Sequence, residues 1–244
     1  MSLNMPDKMD IRTHGYVLRR TNFGEADRIL NLITPVGKIS AIARGVRKEK
    51  SKLAGGIEMF SLIDVNIHNG RGELAVVTSA KMLKFYNNLV TDLDKMELAG
   101  MILKKVSLAA EHSDSPDFFE ITDQTLAALQ KGIAEDLVEA WFWLRLAKAS
   151  GEEVNLYFDT DGEKLSEDEK YSWGMVESAL SKNPTGMIST NEIKMMRLLL
   201  TADLLVAMRV KTDVKMSEIL HIARSVNKLK YDKLEKRSGN GGKI

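Results

Sequence analysis

Five short β-rich runs, each bounded by Gly, Pro or Asn, crowd into about 70 residues near the front of the chain, and this spacing limits the fold more than any other feature. Tyr16-Val17-Leu18-Arg19-Arg20 reads as a strand, and Thr21 to Glu25 as a turn. Arg28 to Thr34 is a second strand, ended by Pro35 and Gly37, and Lys38 to Arg44 is a third. A polar stretch from Gly45 to Gly56 precedes a fourth strand, Ile57 to Ile67. His68-Asn69-Gly70-Arg71-Gly72 is a hairpin turn, because Asn-Gly tolerates the positive φ of tight turns, and Glu73 to Ser79 is the fifth strand. Five such strands suggest a small closed barrel, for which the oligonucleotide-binding (OB) fold is the commonest candidate.

From about residue 88 the apolar period becomes helical. Thr91 is placed to cap a helix running to Glu111, and Ser115-Pro116 to open another. Ala134 to Ser150 is helical, with Gly151 in the C-cap position. Ser189-Thr190-Asn191-Glu192 fits a capping box that opens a helix from Ile193 to about Val210, and a last helix covers about Ser217 to Leu229. The chain is therefore expected to be α+β: an OB-fold barrel over residues 1–86, a helical domain over 87–232, and a disordered basic tail over 233–244.

Charge is unevenly spread. Residues 1–90 carry 14 Lys and Arg against 8 Asp and Glu; residues 91–223 carry 14 against 24; residues 224–244 carry 7 against 2. A basic front and tail flanking an acidic body point to a polyanionic partner. The chain has no cysteine, which excludes disulfides, thiolate metal sites and cysteine nucleophiles. His14, His68, His112 and His221 are too far apart for a zinc motif, so no metal is expected. The first ten residues lack an apolar stretch and no apolar run approaches the roughly 20 residues of a membrane helix, so a cytoplasmic location is expected.

Catalytic constellations are missing. Gly37-Lys38 lacks the upstream glycine of a phosphate loop and is followed by Ile39 in place of Ser or Thr. Gly70-Arg71-Gly72 lacks a third glycine, and Asp159-Thr160-Asp161-Gly162 has its glycine at the fourth position, where a calcium loop needs it at the sixth. No catalytic residue and no cofactor is expected. The positions that bear on function are the cations of the barrel segment: Arg19, Arg20, Arg28, Lys38, Arg44, Arg47, Lys48, Lys50, Lys52 and Arg71. Such groups neutralise phosphates and release counterions without reading base sequence. Phe23, beside Gly24 in a turn, is the candidate for stacking on an unpaired base.

The order Gly15-Tyr16-Val17-Leu18-Arg19-Arg20, Gly24-Glu25-Ala26-Asp27-Arg28, Leu32-Ile33-Thr34 and Gly37-Lys38 resembles the start of the bacterial RecO recombination mediators. So do Ala43-Arg44-Gly45-Val46-Arg47, Lys50-Ser51-Lys52-Leu53, Glu58-Met59-Phe60, Gly70-Arg71-Gly72-Glu73-Leu74 and Thr78-Ser79-Ala80, and together these cover about residues 11–93. Phe142-Trp143-Leu144-Arg145-Leu146, with Gly151 and Leu156, resembles the family's helix leading to a zinc-ribbon-like insertion, here about 157–188 and without cysteines. The resemblance implies an OB-fold barrel joined to a helical domain, binding to single- and double-stranded DNA, annealing of complementary strands, and help in loading the RecA recombinase onto coated DNA. It implies as partners RecR and the acidic C-terminal tail of single-strand-binding protein, although Glu139 and Ala140 stand where a basic pair is common. Two other classes compete: a protein-interaction adaptor without catalysis, and an RNA-binding OB-fold protein.

Overall fold

Apolar side chains recur at every second position along the front of the chain. In the computed structural model, which describes residues 10–69, 74–210 and 213–240, they line a closed barrel. Its strands are β1 (Asp10–Phe23), β2 (Asp27–Thr34), β3 (Gly37–Ala43), β4 (Ser61–His68) and β5 (Ala75–Phe85). They are hydrogen-bonded in the order β1-β2-β3-β5-β4. β3 and β5 run parallel through Ala41–Ala75 and Ile42–Val76, and the other neighbours are antiparallel. This is the five-stranded connectivity expected of an OB fold. Leu30 and Leu32, Ala41 and Ala43, and Ile63, Val65 and Ile67 fill the interior. A side chain at Gly15 would place its Cβ 2.4 Å from the Ile33 carbonyl oxygen, so only glycine lets β1 cross β2 this closely.

Two strands exceed their sequence signals. β1 begins at Asp10, because its first half pairs with β4 from Asp10–His68 to Tyr16–Leu62. β5 runs on to Phe85, and register shifts in its pairing with β4 interrupt the clean alternation that a sequence reading depends on.

Three helices follow: α1 (Asn87–Val90), α2 (Leu93–Ala109) and α3 (Asp117–Gln130). The cap of α2 is Asp92, which accepts from Lys95 N at 3.3 Å, and not Thr91, whose hydroxyl donates back to the Asn87 carbonyl. The chain divides into two compact units, 1–126 and 127–244, so the break falls inside α3 and the first unit extends beyond the expected barrel boundary at 86. Within the first unit the Tyr16 hydroxyl donates to Asp123 Oδ1 at 2.5 Å and lies 2.8 Å from the Tyr86 hydroxyl. Tyr16 has one proton and gives it to Asp123, so Tyr86 is the donor to Tyr16. Burial, then the bond to Asp123, pushes ionisation of Tyr16 far above the ordinary tyrosine range.

The second unit contains α4 (Glu135–Ala149), β6 (Tyr171–Gly174), β7 (Ala179–Lys182), α5 (Thr190–Thr201), α6 (Leu204–Ala207) and α7 (Met216–Asn240). It is not all-helical: β6 and β7 form an antiparallel hairpin inside the segment expected as an insertion. α5 stops at Thr201, short of the expected Val210, where the Trp141 indole donates to the Ala202 carbonyl and Arg145 to that of Leu200. α7 continues to Asn240, through residues expected as a disordered tail; Tyr231, buried with its ring 5.9 Å from that of Trp143, anchors the helix past Leu229, and residues 241–244 lie outside the described set. Among the described residues, no helix is long and apolar enough to cross a membrane.

The expected capping box at the start of α5 is present, and it makes a pH prediction. Burial favours the neutral form of Glu192, but hydrogen bonds from the Ser189 hydroxyl and from the Ser189 and Lys215 amides outweigh it, and the pKa lies below the ordinary glutamate value. A carboxylate with a depressed folded pKa contributes stability that is full above the ordinary glutamate range and fades as pH falls through the folded value. Glu192→Gln should therefore lower the urea midpoint at neutral pH and narrow its gap from wild type at about pH 3. A gap that stays constant across that range would rule the assignment out.

Candidate nucleic-acid interface

The connection from β3 to β4 crosses one end of the barrel and is amphipathic in a specific sense. Val46 and Ile57 are buried in the barrel core and Leu53 packs against it. The residues between them, Arg47, Lys48, Lys50 and Lys52, are exposed, as is Arg44 just ahead. Apolar anchors thus bind the segment to the barrel while its cations face water. Gly56, in a short 3-10 turn at Ala54–Gly56, approaches β5 so closely that a Cβ would lie 2.3 Å from the Ala80 carbonyl oxygen.

The same segment is fastened to the β1–β2 turn. Gly45 N donates to Asp27 Oδ1 at 2.7 Å, Arg47 N to the Ala26 carbonyl at 2.9 Å, and Arg47 Nη1 to the Gly24 carbonyl at 3.2 Å. Gly24 and Gly45 both take left-handed backbone, with φ of 56° and 63°, which glycine adopts without strain. Phe23 flanks this turn and is 51% exposed, a large apolar ring presented to water. Arg28 pairs in register with Asn22 and Ala43, so it lies at the same end, and its Nε donates to Asn22 Oδ1 at 3.3 Å. The structure therefore brings Phe23, Arg28, Arg44 and Arg47 together, with Lys48, Lys50 and Lys52 on the continuing connection.

Three predicted cations stand apart. Lys38 pairs with Ile33 and is five residues from Ala43, about 16 Å along β3. Its ammonium is 3.1 Å from Glu111, two residues beyond the end of α2, and its side chain is only 16% exposed, so it serves the packing of the first unit. Arg20 faces Glu58 at 2.9 Å, an ion pair between β1 and the β3–β4 connection. Arg19 is exposed in the cross-strand row with Asn31 and Ser40. Arg71 lies outside the described residues.

Cations that the sequence reading passed over lie on β1 and β5. His14, Asp64 and Lys81 make one cross-strand row, and Arg12 Nη2 is 3.0 Å from Asp64 Oδ2. The hydrogen bond from Arg12 holds the Asp64 carboxyl below its usual range against desolvation, with smaller help from Arg12, His14 and Lys81 as charges. Alternation along β5 marks Lys81 as outward-facing, a signal that was readable once β5 was known to continue past Ser79.

The arrangement is suited to holding a phosphodiester strand. Arg47 spends one guanidinium donor on the turn, and its others have no partner among the described residues. An exposed ring next to such cations can stack on a base while they hold its flanking phosphates.

The family model described as "Recombination protein O N terminal" matches residues 9–86. Three relatives named "DNA repair protein RecO" are similar to the chain. The protein of Roseiflexus sp. is 37% identical over 147 residues, which is 60% of this chain and 52% of that protein. That of Dehalococcoides mccartyi (strain ATCC BAA-2266 / KCTC 15142 / 195) is 29% identical over 226 residues, 89% of each. That of Rubrobacter xylanophilus is 33% identical over 142 residues, 57% of each. Two of these three matches thus span little more than half of the relative.

Proposed function

We propose that this chain is a member of the RecO family, a DNA repair and recombination mediator that works by binding and no covalent chemistry of its own. The observation that carries the reading is the row of exposed cations on the β3–β4 connection, hydrogen-bonded to a turn that displays Phe23. Two DNA strands repel through their phosphates. A surface that neutralises both lowers the repulsion and raises their local concentration, and base pairing then supplies the free energy of annealing. Contacts of this kind accept single and double strands, since they address the backbone and not the groove. No nucleotide, metal or other cofactor enters the scheme. On the same reading the chain acts in the cytoplasm with RecR, with single-strand-binding protein through its acidic tail, and through them with RecA. Residues 157–188 then stand as a cysteine-free form of the zinc-ribbon-like insertion.

The test is fluorescence anisotropy of a short labelled oligonucleotide over a salt titration. Tight binding whose affinity falls steeply with salt supports the mediator. No binding at low salt leaves a protein-interaction adaptor, and clear preference for RNA over the same DNA sequence leaves an RNA-binding barrel.

A further inference from the structure

We infer that Asp27 is a positioning residue for the polyanion site, a carboxylate that strengthens binding of a nucleic-acid phosphate although its own charge opposes it; this rests on the reading of the site above. Net charge alone assigns every acid near such a site an inhibitory role. The hydrogen bonds assign Asp27 the reverse.

Asp27 is the first residue of β2 and pairs with Phe23 across the turn. Its Oδ1 accepts the amide of Gly45 at 2.7 Å. Gly45 is where the chain leaves β3 and bends through left-handed backbone, φ 63°, toward Arg47. Three hydrogen bonds join the turn to this bend, and the Asp27–Gly45 bond is the one made by a carboxylate; the others use the Ala26 and Gly24 carbonyls. A charged acceptor makes the strongest link of the three. Without it, Gly45 N–H loses its partner, the two carbonyl bonds alone hold the bend, and more of the ordering of Arg44 and Arg47 falls to the moment of binding. Preorganised cations hold a phosphate more tightly than mobile ones because that ordering cost has already been met in folding.

Glu25 supplies the control. It lies on the same turn, is exposed, and has no hydrogen bond among the described residues, so its removal reports charge alone. Asn in place of Asp27 supplies the rescue, since its carbonyl can still accept from Gly45 while the charge is gone.

The experiment measures Kd of the full chain for a labelled single-stranded oligonucleotide, with amide hydrogen exchange at Gly45 and Arg47. Asp27→Ala should weaken binding about tenfold, the scale of one charge-assisted hydrogen bond. Asp27→Asn should bind within about twofold of wild type or tighter, and Glu25→Ala should bind equally or tighter. Exchange at Gly45 should speed up in Asp27→Ala and stay slow in Asp27→Asn. Asp27→Ala binding as well as wild type overturns the inference, and so does Asp27→Asn binding as weakly as Asp27→Ala. A wild-type chain that fails to bind the oligonucleotide sinks the polyanion reading instead. Exchange then still decides the bond, and unchanged exchange at Gly45 in Asp27→Ala overturns it.

Discussion

Glutamate at all four of Arg44, Arg47, Lys48 and Lys50 should abolish oligonucleotide binding and strand annealing while leaving the protein folded. All four side chains are exposed, and the residues that fix the connection to the barrel, Val46, Leu53 and Ile57, are untouched. The fold loses one hydrogen bond of consequence, Arg47 Nη1 to the Gly24 carbonyl, worth about 1 kcal/mol. Binding loses far more. Each phosphate neutralised on a single strand contributes about −0.7 to the slope of log affinity against log salt, and four cations become four anions. Affinity near physiological salt should fall about a thousandfold or more, and any residual binding should show a slope shallower by about 3. Circular dichroism and the melting temperature should remain near wild type. Annealing that survives the reversal within about threefold places the DNA elsewhere, and the cross-strand row at His14 and Lys81 is the next surface to reverse.

Trp141→Ala should cost about 3–5 kcal/mol, the largest single-residue loss expected in the second unit. α4 is buried along most of its length, with Val138, Ala140, Phe142, Trp143, Leu144 and Leu146 buried beside Trp141. Trp141 is itself 0% exposed, donates its indole N–H to the Ala202 carbonyl at 3.0 Å, and has the Arg145 guanidinium 5.3 Å from its ring. Truncation opens a cavity and also leaves the Ala202 carbonyl without its donor at the point where α5 gives way to α6. With about 2–4 °C of melting temperature per kcal/mol for a chain of this size, the midpoint should drop by about 10 °C. Trp141→Phe keeps most of the volume but not the donor and should fall between the two. A midpoint within about 2 °C of wild type for the alanine variant would show that this packing contributes little.

The identity and spacing of residues near one another carried much of this fold. β2 and β3 were legible within a residue of their ends, because Pro35, Gly37 and clean alternation bound them. The capping box of α5 was legible too, since it lies within four residues, although the helix starts at Thr190 and not Ile193, and so was the end of α4 before Gly151, which takes φ of 81°. The cationic β3–β4 connection and the exposed Phe23 were also readable. Each depends on side chains acting on backbone within a few positions, and such effects survive in any tertiary context.

Other features were settled across long sequence separations, and no local pattern encodes them. α5 stops at Thr201 with no glycine or proline to stop it; side chains of α4, some 55 to 61 positions away, take carbonyls there. Lys38 and Arg20 look like any other cation of the barrel until Glu111 and Glu58 are found against them, 73 and 38 positions away. The β6–β7 hairpin sits in the segment expected as an insertion, to which no strand was assigned. Which charges stay available to a polyanion, and which are spent inside the molecule, was decided when distant segments met. Coulomb attraction and hydrogen bonding act over a few ångströms of space, and sequence distance does not measure that space.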